Sequence, residues 1–178
     1  MTVPEHYCRF YRLFLRVALI MFVVGGFAGV LYVEMTRSLT YAKVPPGIAI
    51  EAKLHLALLH GHGILVGAVI PVCWVAILHF ALSIGGRPMG PKALKWIAWT
   101  YLPGGASIVG LIAYKGVHFV NALKAGERDF DHIRETMFAG NRALRGIVYG
   151  SSHTLATVGL VFFAIAAWRS LKPARNDT

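Results

Sequence analysis

Charge is scarce in this 178-residue chain: Asp, Glu, Lys and Arg make up 15% of it, and only 8 of those residues are acidic against 18 basic. With 56% apolar residues and a mean hydropathy of +0.58, there is too little polar surface to coat a soluble domain. Cysteine is nearly absent, Cys8 and Cys73 being the whole supply. That excludes a disulfide scaffold and any CxxC metal or redox motif. No GxSxG elbow or phosphate-binding glycine loop occurs, and neither cysteine has a triad around it. Carboxylates crowd together only at 129–135, as a solvated amphipathic face would carry them. The formal charge of +10 does not indicate nucleic acid, because the basic residues stand at the ends of long uncharged runs rather than along one polar stripe.

What is present is hydrophobic length. Uncharged runs at 17–33, 54–86, 96–114 and 146–168 are each comparable with the roughly 20 residues needed to cross about 30 Å of hydrocarbon. They predict an all-α fold: an integral membrane four-helix bundle forming a single domain over 1–178, with spans near 13–34, 54–84, 94–120 and 145–169. The first run follows Arg9, Arg12 and Arg16, but Glu34-Met35-Thr36-Arg37 offers no small-x-small cleavage site, so it is expected to be retained as a span. Residues 36–51, with Pro45-Pro46-Gly47, predict a loop, and the glycines and prolines of 85–91 a tight turn. Between spans three and four, charged residues alternate with Phe130, Ile133, Met137 and Phe138 at helical spacing, predicting a short amphipathic surface helix. Lys and Arg divide nine against nine between the two sides, while six of the eight acids fall on the side opposite the N-terminus. The expected location is a bacterial inner membrane with both termini cytoplasmic.

Histidine inside a span is costly and therefore points to function. His55, His60, His62 and His79 lie on the second span, His118 on the third and His153 on the fourth. At about 1.5 Å per residue, His60, His62, His118 and His153 all fall about 9–14 Å below the same face. His55 and His62 share a stripe, whereas His60 and His62 diverge by about 200°, so the two cannot simply serve one metal. Glycines flank these histidines. Gly25/Gly29, Gly63/Gly67 and Gly146/Gly150 are GxxxG pairs that serve either helix packing or the space a flat cofactor needs.

A haem b held by two imidazoles needs one histidine on each of two facing helices, an apolar slot and cations near its propionates. His62 and His153 are the candidate axial ligands, with His60 and His118 as substitutes, and Lys115, Arg142 and Arg145 as candidate propionate partners. Copper or zinc without porphyrin is the alternative, drawing on His60 or His62, His118, His153 and Glu34.

The stretch His60-Gly61-His62-Gly63-Ile64-Leu65-Val66, followed by Val69-Ile70-Pro71 and a Gly/Pro-rich turn, resembles the early helices of the haem–copper oxidase catalytic subunit. There a His-Gly on the second helix supplies an axial ligand to the low-spin haem, and His62 matches that position. No counterpart of the copper-ligand helices is present, so oxygen reduction is not implied. The chain as a whole resembles small four-helix bacterial membrane proteins of an uncharacterised family, with HxH on the second helix and Gly150-Ser151-Ser152-His153 on the fourth. His153-Thr154-Leu155-Ala156-Thr157 is similar to four-helix cytochromes of the b561 kind, from which the chain departs in lacking a histidine within the apolar run of the first span. The expected function is one-electron transfer by a haem b membrane protein, with the lipid bilayer, and a redox protein or quinone, as partners and no nucleic acid. The competing expectation is a non-catalytic membrane subunit or small transport protein with structural histidines.

Overall fold

A computed structural model describes residues 3–39 and 46–173. Helix α1 runs over Glu5–Thr36 and α2 over Pro46–Ile64; a π turn, Leu65–Val69, joins α2 to α3, Ile70–Ser83. Helix α4 covers Pro91–Lys124, α5 Phe130–Thr136, and α6 Arg142–Ser170, after a kinked turn at Met137–Gly140. No strand occurs among the described residues. Four helical stretches are long and apolar enough to cross a membrane: Glu5–Thr36, Gly47–Ser83, Pro91–Lys124 and Arg142–Ser170.

Every span is longer than its uncharged run, because helix hydrogen bonding continues past the point where charged side chains begin. The expected loop at 36–51 is shortened for a related reason. Pro46 opens α2, where a missing N–H costs nothing. The rest of that loop, 40–45, lies outside the described residues, as does Arg175 of the charge tally. The amphipathic surface helix is present as α5, only seven residues long, with the Asp129 side chain accepting from the amides of Asp131 and His132. Glu127 braces the same end by accepting from the amides of Arg128 and Asp129. These bonds hold its carboxyl below the usual carboxylate range, so the brace is present at neutral pH and is lost as the pH falls through that lowered value.

Helix α1 packs chiefly on α2, and α4 chiefly on α6, while α2 also lies along α4. The close approaches are made at glycines. A Cβ on Gly25 would strike Ile64, and one on Gly67 would strike Met21, so the Gly25/Gly29 and Gly63/Gly67 pairs lock α1 to the second span. On α4, Gly116 receives Leu56 of α2 and Gly104 receives the Ala156 backbone of α6. Gly146 and Gly150 meet nothing within 4 Å and form an open strip.

Two apolar cores result. One, around Leu56, Phe119, Val120, Leu123, Ile133 and Met137, lies beneath α5. The other, around Tyr7, Phe14, Trp74, Ile97, Tyr101 and Phe163, fills the opposite end, where Trp74 and Phe163 stack at 4.1 Å and 5°. That end is also tied by polar bonds. The Met89 amide donates to the Tyr7 hydroxyl at 2.7 Å, the Ser170 hydroxyl to the Arg87 carbonyl at 2.6 Å, and the Arg87 amide to the Ser170 carbonyl at 2.9 Å.

The π turn has a local cause. Pro71 has no N–H, and the Ile70 amide donates to the Leu65 carbonyl, five residues back. The Val66 carbonyl is thereby deprived of its usual helical donors, and the Tyr101 hydroxyl of α4 donates to it at 2.7 Å. Replacing Tyr101 with Phe leaves that carbonyl unpaired. Tyr101→Phe is expected to lower stability by about 1–3 kcal/mol in denaturant titration in detergent, and Pro71→Ala in the same chain to recover part of the loss.

Candidate functional site

Helix α4 separates α2 from α6 in the half of the bundle nearer α5, and the two flanking helices pack on it rather than principally on each other. Gly105 meets Val66 of the π turn that continues α2, and its neighbour Gly104 meets Ala156 of α6. Adjacent helical residues point about 100° apart, so α2 and α6 sit on α4 about a right angle from one another and leave a groove between them. At the opposite end Trp74 and Phe163 close that gap.

The side chains that face the groove follow from the contacts at its outer end. His55 stacks on Phe119, ring centroids 5.5 Å apart and 12° from parallel, and Lys115 Nζ lies 5.6 Å from the same ring centroid. His62, two turns along the stripe of His55, is directed to the same side. Across the groove, Gly146 and Tyr149 of α6 line a cavity of about 380 Å³ together with Lys115. His153 is four residues after Tyr149 and seven after Gly146, hence on their stripe, and the open strip of Gly146 and Gly150 leads to it. Interpolating between the glycine contacts sets His62 and His153 within about 4 Å of one level, near half-buried Ile108 and Ile112.

Both imidazoles are held in the same tautomer. His62 Nδ1 donates to the Leu58 carbonyl at 3.1 Å and His153 Nδ1 to the Tyr149 carbonyl at 2.8 Å, leaving each Nε2 as a lone-pair donor. His60 is turned away, since its Nδ1 donates to the Gly25 carbonyl at 2.7 Å and its ring packs over Gly29. It fastens α1 to α2. His118 is occupied differently: its Nε2 donates to the Ile133 carbonyl and lies 3.0 Å from the Thr136 hydroxyl, pinning α5. His62 and His153 thus keep Nδ1 bonded within their own helices, whereas His60 and His118 are spent on contacts between helices. Among the described residues no three His, Cys, Asp or Glu side chains gather as a metal ion would need.

The cavity at the groove mouth is cationic. Lys115, Arg134, Arg142 and Arg145 line it. Arg142 pairs with Glu135, and Arg145 Nη1 donates to the Arg134 carbonyl at 2.6 Å. The Tyr149 hydroxyl is buried there without a partner. Its edge is strained, because Phe138 and Ala139 adopt left-handed φ of 55° and 52°, a conformation that costs a non-glycine residue about 1–2 kcal/mol. Tyr149 and Arg134 escaped the reading of the sequence, although the four-residue step from Tyr149 to His153 carries the signal for the first.

The chain matches the family described as "Protein of unknown function (DUF2871)" over residues 11–170. It belongs to the DUF2871 family. No curated protein and no solved structure is significantly similar to this DUF2871 member.

The bond from His118 to α5 makes a separable prediction. His118→Phe keeps a ring of similar size and removes the donor, a loss of about 1 kcal/mol. Amide hydrogen exchange in α5 is expected to speed about fivefold, with the amides of α1 and α3 unchanged.

Proposed function

We propose that this DUF2871 protein is an integral membrane protein that binds haem b between His62 and His153 and passes single electrons. Bis-histidine haem supplies a one-electron couple; the protein positions it and tunes its surroundings. The observation that supports the reading is that His62 and His153 each bond Nδ1 to a carbonyl of their own helix, which leaves Nε2 available, on two helices that both pack on α4. Helices seated on α4 at 8–10 Å and a right angle stand on the order of 13 Å apart, room for a porphyrin between two imidazoles. The open strip of Gly146 and Gly150 favours a flat ligand, and Lys115 and Arg145 at the mouth supply charge for two carboxylates. The Nδ1 bonds to Leu58 and Tyr149 fix each ring as a ligating histidine requires.

Insertion in a bilayer is supported by the large apolar side chains turned outward, such as Leu19 at 70% exposure and Phe27 at 71%. The reading includes a bacterial inner membrane, cytoplasmic termini, and a redox protein or quinone as the exchanging partner. The competing reading, a non-catalytic membrane subunit or transporter with structural histidines, draws its support from His60 and His118, both of which bridge helices. Copper or zinc without porphyrin would require a third ligand that the groove does not offer among the described residues.

Protein purified after expression with haem supply is expected to show a Soret band and a sharp reduced α band. His62→Ala and His153→Ala should each cut bound haem below about a tenth, and His60→Ala should leave the spectrum intact. Colourless wild-type protein without iron defeats the haem reading; zinc or copper in place of iron selects the porphyrin-free one.

A further inference from the structure

A second cavity, of about 990 Å³, opens at the other end of the molecule, on the flank of α4 and α6 away from the histidine groove. Its wall is apolar along the helices, where Ile97, Phe162 and Ile165 line it, and Trp96 stands at its side with 67% exposure. Its rim is cationic: Arg87 comes from the turn between α3 and α4, and Arg169 and Lys172 from the end of α6. No carboxylate lines it, and none of the three cations forms an ion pair among the described residues. The rim is also preorganised. Arg87 Nε donates to the Pro173 carbonyl at 2.9 Å, while the Arg87 carbonyl accepts from the Ser170 hydroxyl at 2.6 Å. These bonds hold the turn against the end of α6.

We infer that this cavity is a binding site for an anionic phospholipid, with the headgroup phosphate between Arg87, Arg169 and Lys172 and an acyl chain along the α4/α6 wall. The inference rests on the bilayer part of the proposed function and is independent of haem. Two features together select this occupant. An apolar trough that lies along the span matches an acyl chain, and three cations without acidic partners among the described residues match a phosphate at its end. Thr100 is no competing polar anchor, because its hydroxyl donates to the Trp96 and Ile97 carbonyls of its own helix. An uncharged headgroup would leave the three cations uncompensated, so the site discriminates by charge.

Native mass spectrometry of the full chain in detergent tests the site, with phosphatidylglycerol and phosphatidylcholine of identical chains at equal concentration. Wild-type protein is expected to retain one phosphatidylglycerol in about tenfold preference. The double variant Arg169→Gln with Lys172→Gln should lose that preference, and Lys95→Gln, at the same end but outside the cavity, should keep it. Ala166→Trp, which fills the trough, should abolish retention of either lipid with helical circular dichroism unchanged. Equal retention of the two lipids by wild type, or undiminished preference in the double variant or in Ala166→Trp, overturns the site. Partition of the chain into liposomes is measured alongside. A chain that inserts without preferring phosphatidylglycerol refutes the site alone, whereas one that stays in the aqueous phase refutes the bilayer reading beneath it.

Discussion

One unsatisfied carbonyl organises the bundle. Pro71 and the π turn before it deprive Val66 of a donor within its own helix, and the Tyr101 hydroxyl replaces it. In an apolar surrounding an unpaired carbonyl is expensive, so the bond fixes how far α4 slides along the second span. Tyr101 also presses its backbone against Gly159 of α6, where any added Cβ would collide. A single residue thus sets the depth of both helices that flank α4. The common level of His62 and His153 is a downstream result of that registration.

The architecture was legible in the sequence to the extent that hydrophobic length determines it. Four runs gave four long helices, and the amphipathic spacing that begins at Phe130 and Ile133 gave α5, although Met137 and Phe138 of the same pattern fall in the turn after it. Their ends were not legible, because charged residues extend a helix as readily as they terminate a hydrophobic run. The π turn was hidden too: Pro71 was visible, but the compensation for it lies thirty residues away in Tyr101.

The candidate groove was legible in part. The stripe shared by His55 and His62, and the depth of His153, follow from 3.6-residue periodicity. Which way each stripe faces depends on which helices are neighbours, and that is a tertiary fact. His60 illustrates the limit, since its partner is the Gly25 carbonyl, thirty-five residues back on another helix. The glycine pairs, equivocal between packing and open space as sequence, separate in three dimensions. Gly25/Gly29 and Gly63/Gly67 are filled by neighbours, and Gly146/Gly150 are not.

The pattern of helix neighbours also carries an order of assembly. The α1–α2 and α4–α6 pairings are the most extensive contacts, and each joins helices close in sequence, so two helical hairpins can form early and locally. Of the bonds that unite them, Tyr101 to Val66 reaches from one hairpin to the other, while Tyr7 to Met89 and Ser170 to Arg87 tie each hairpin to the turn between α3 and α4. The groove has one wall from each hairpin and therefore comes into existence only at docking. Anything gripped by both walls would act as a fastener between the halves of the chain, and its binding energy would count directly toward holding them together.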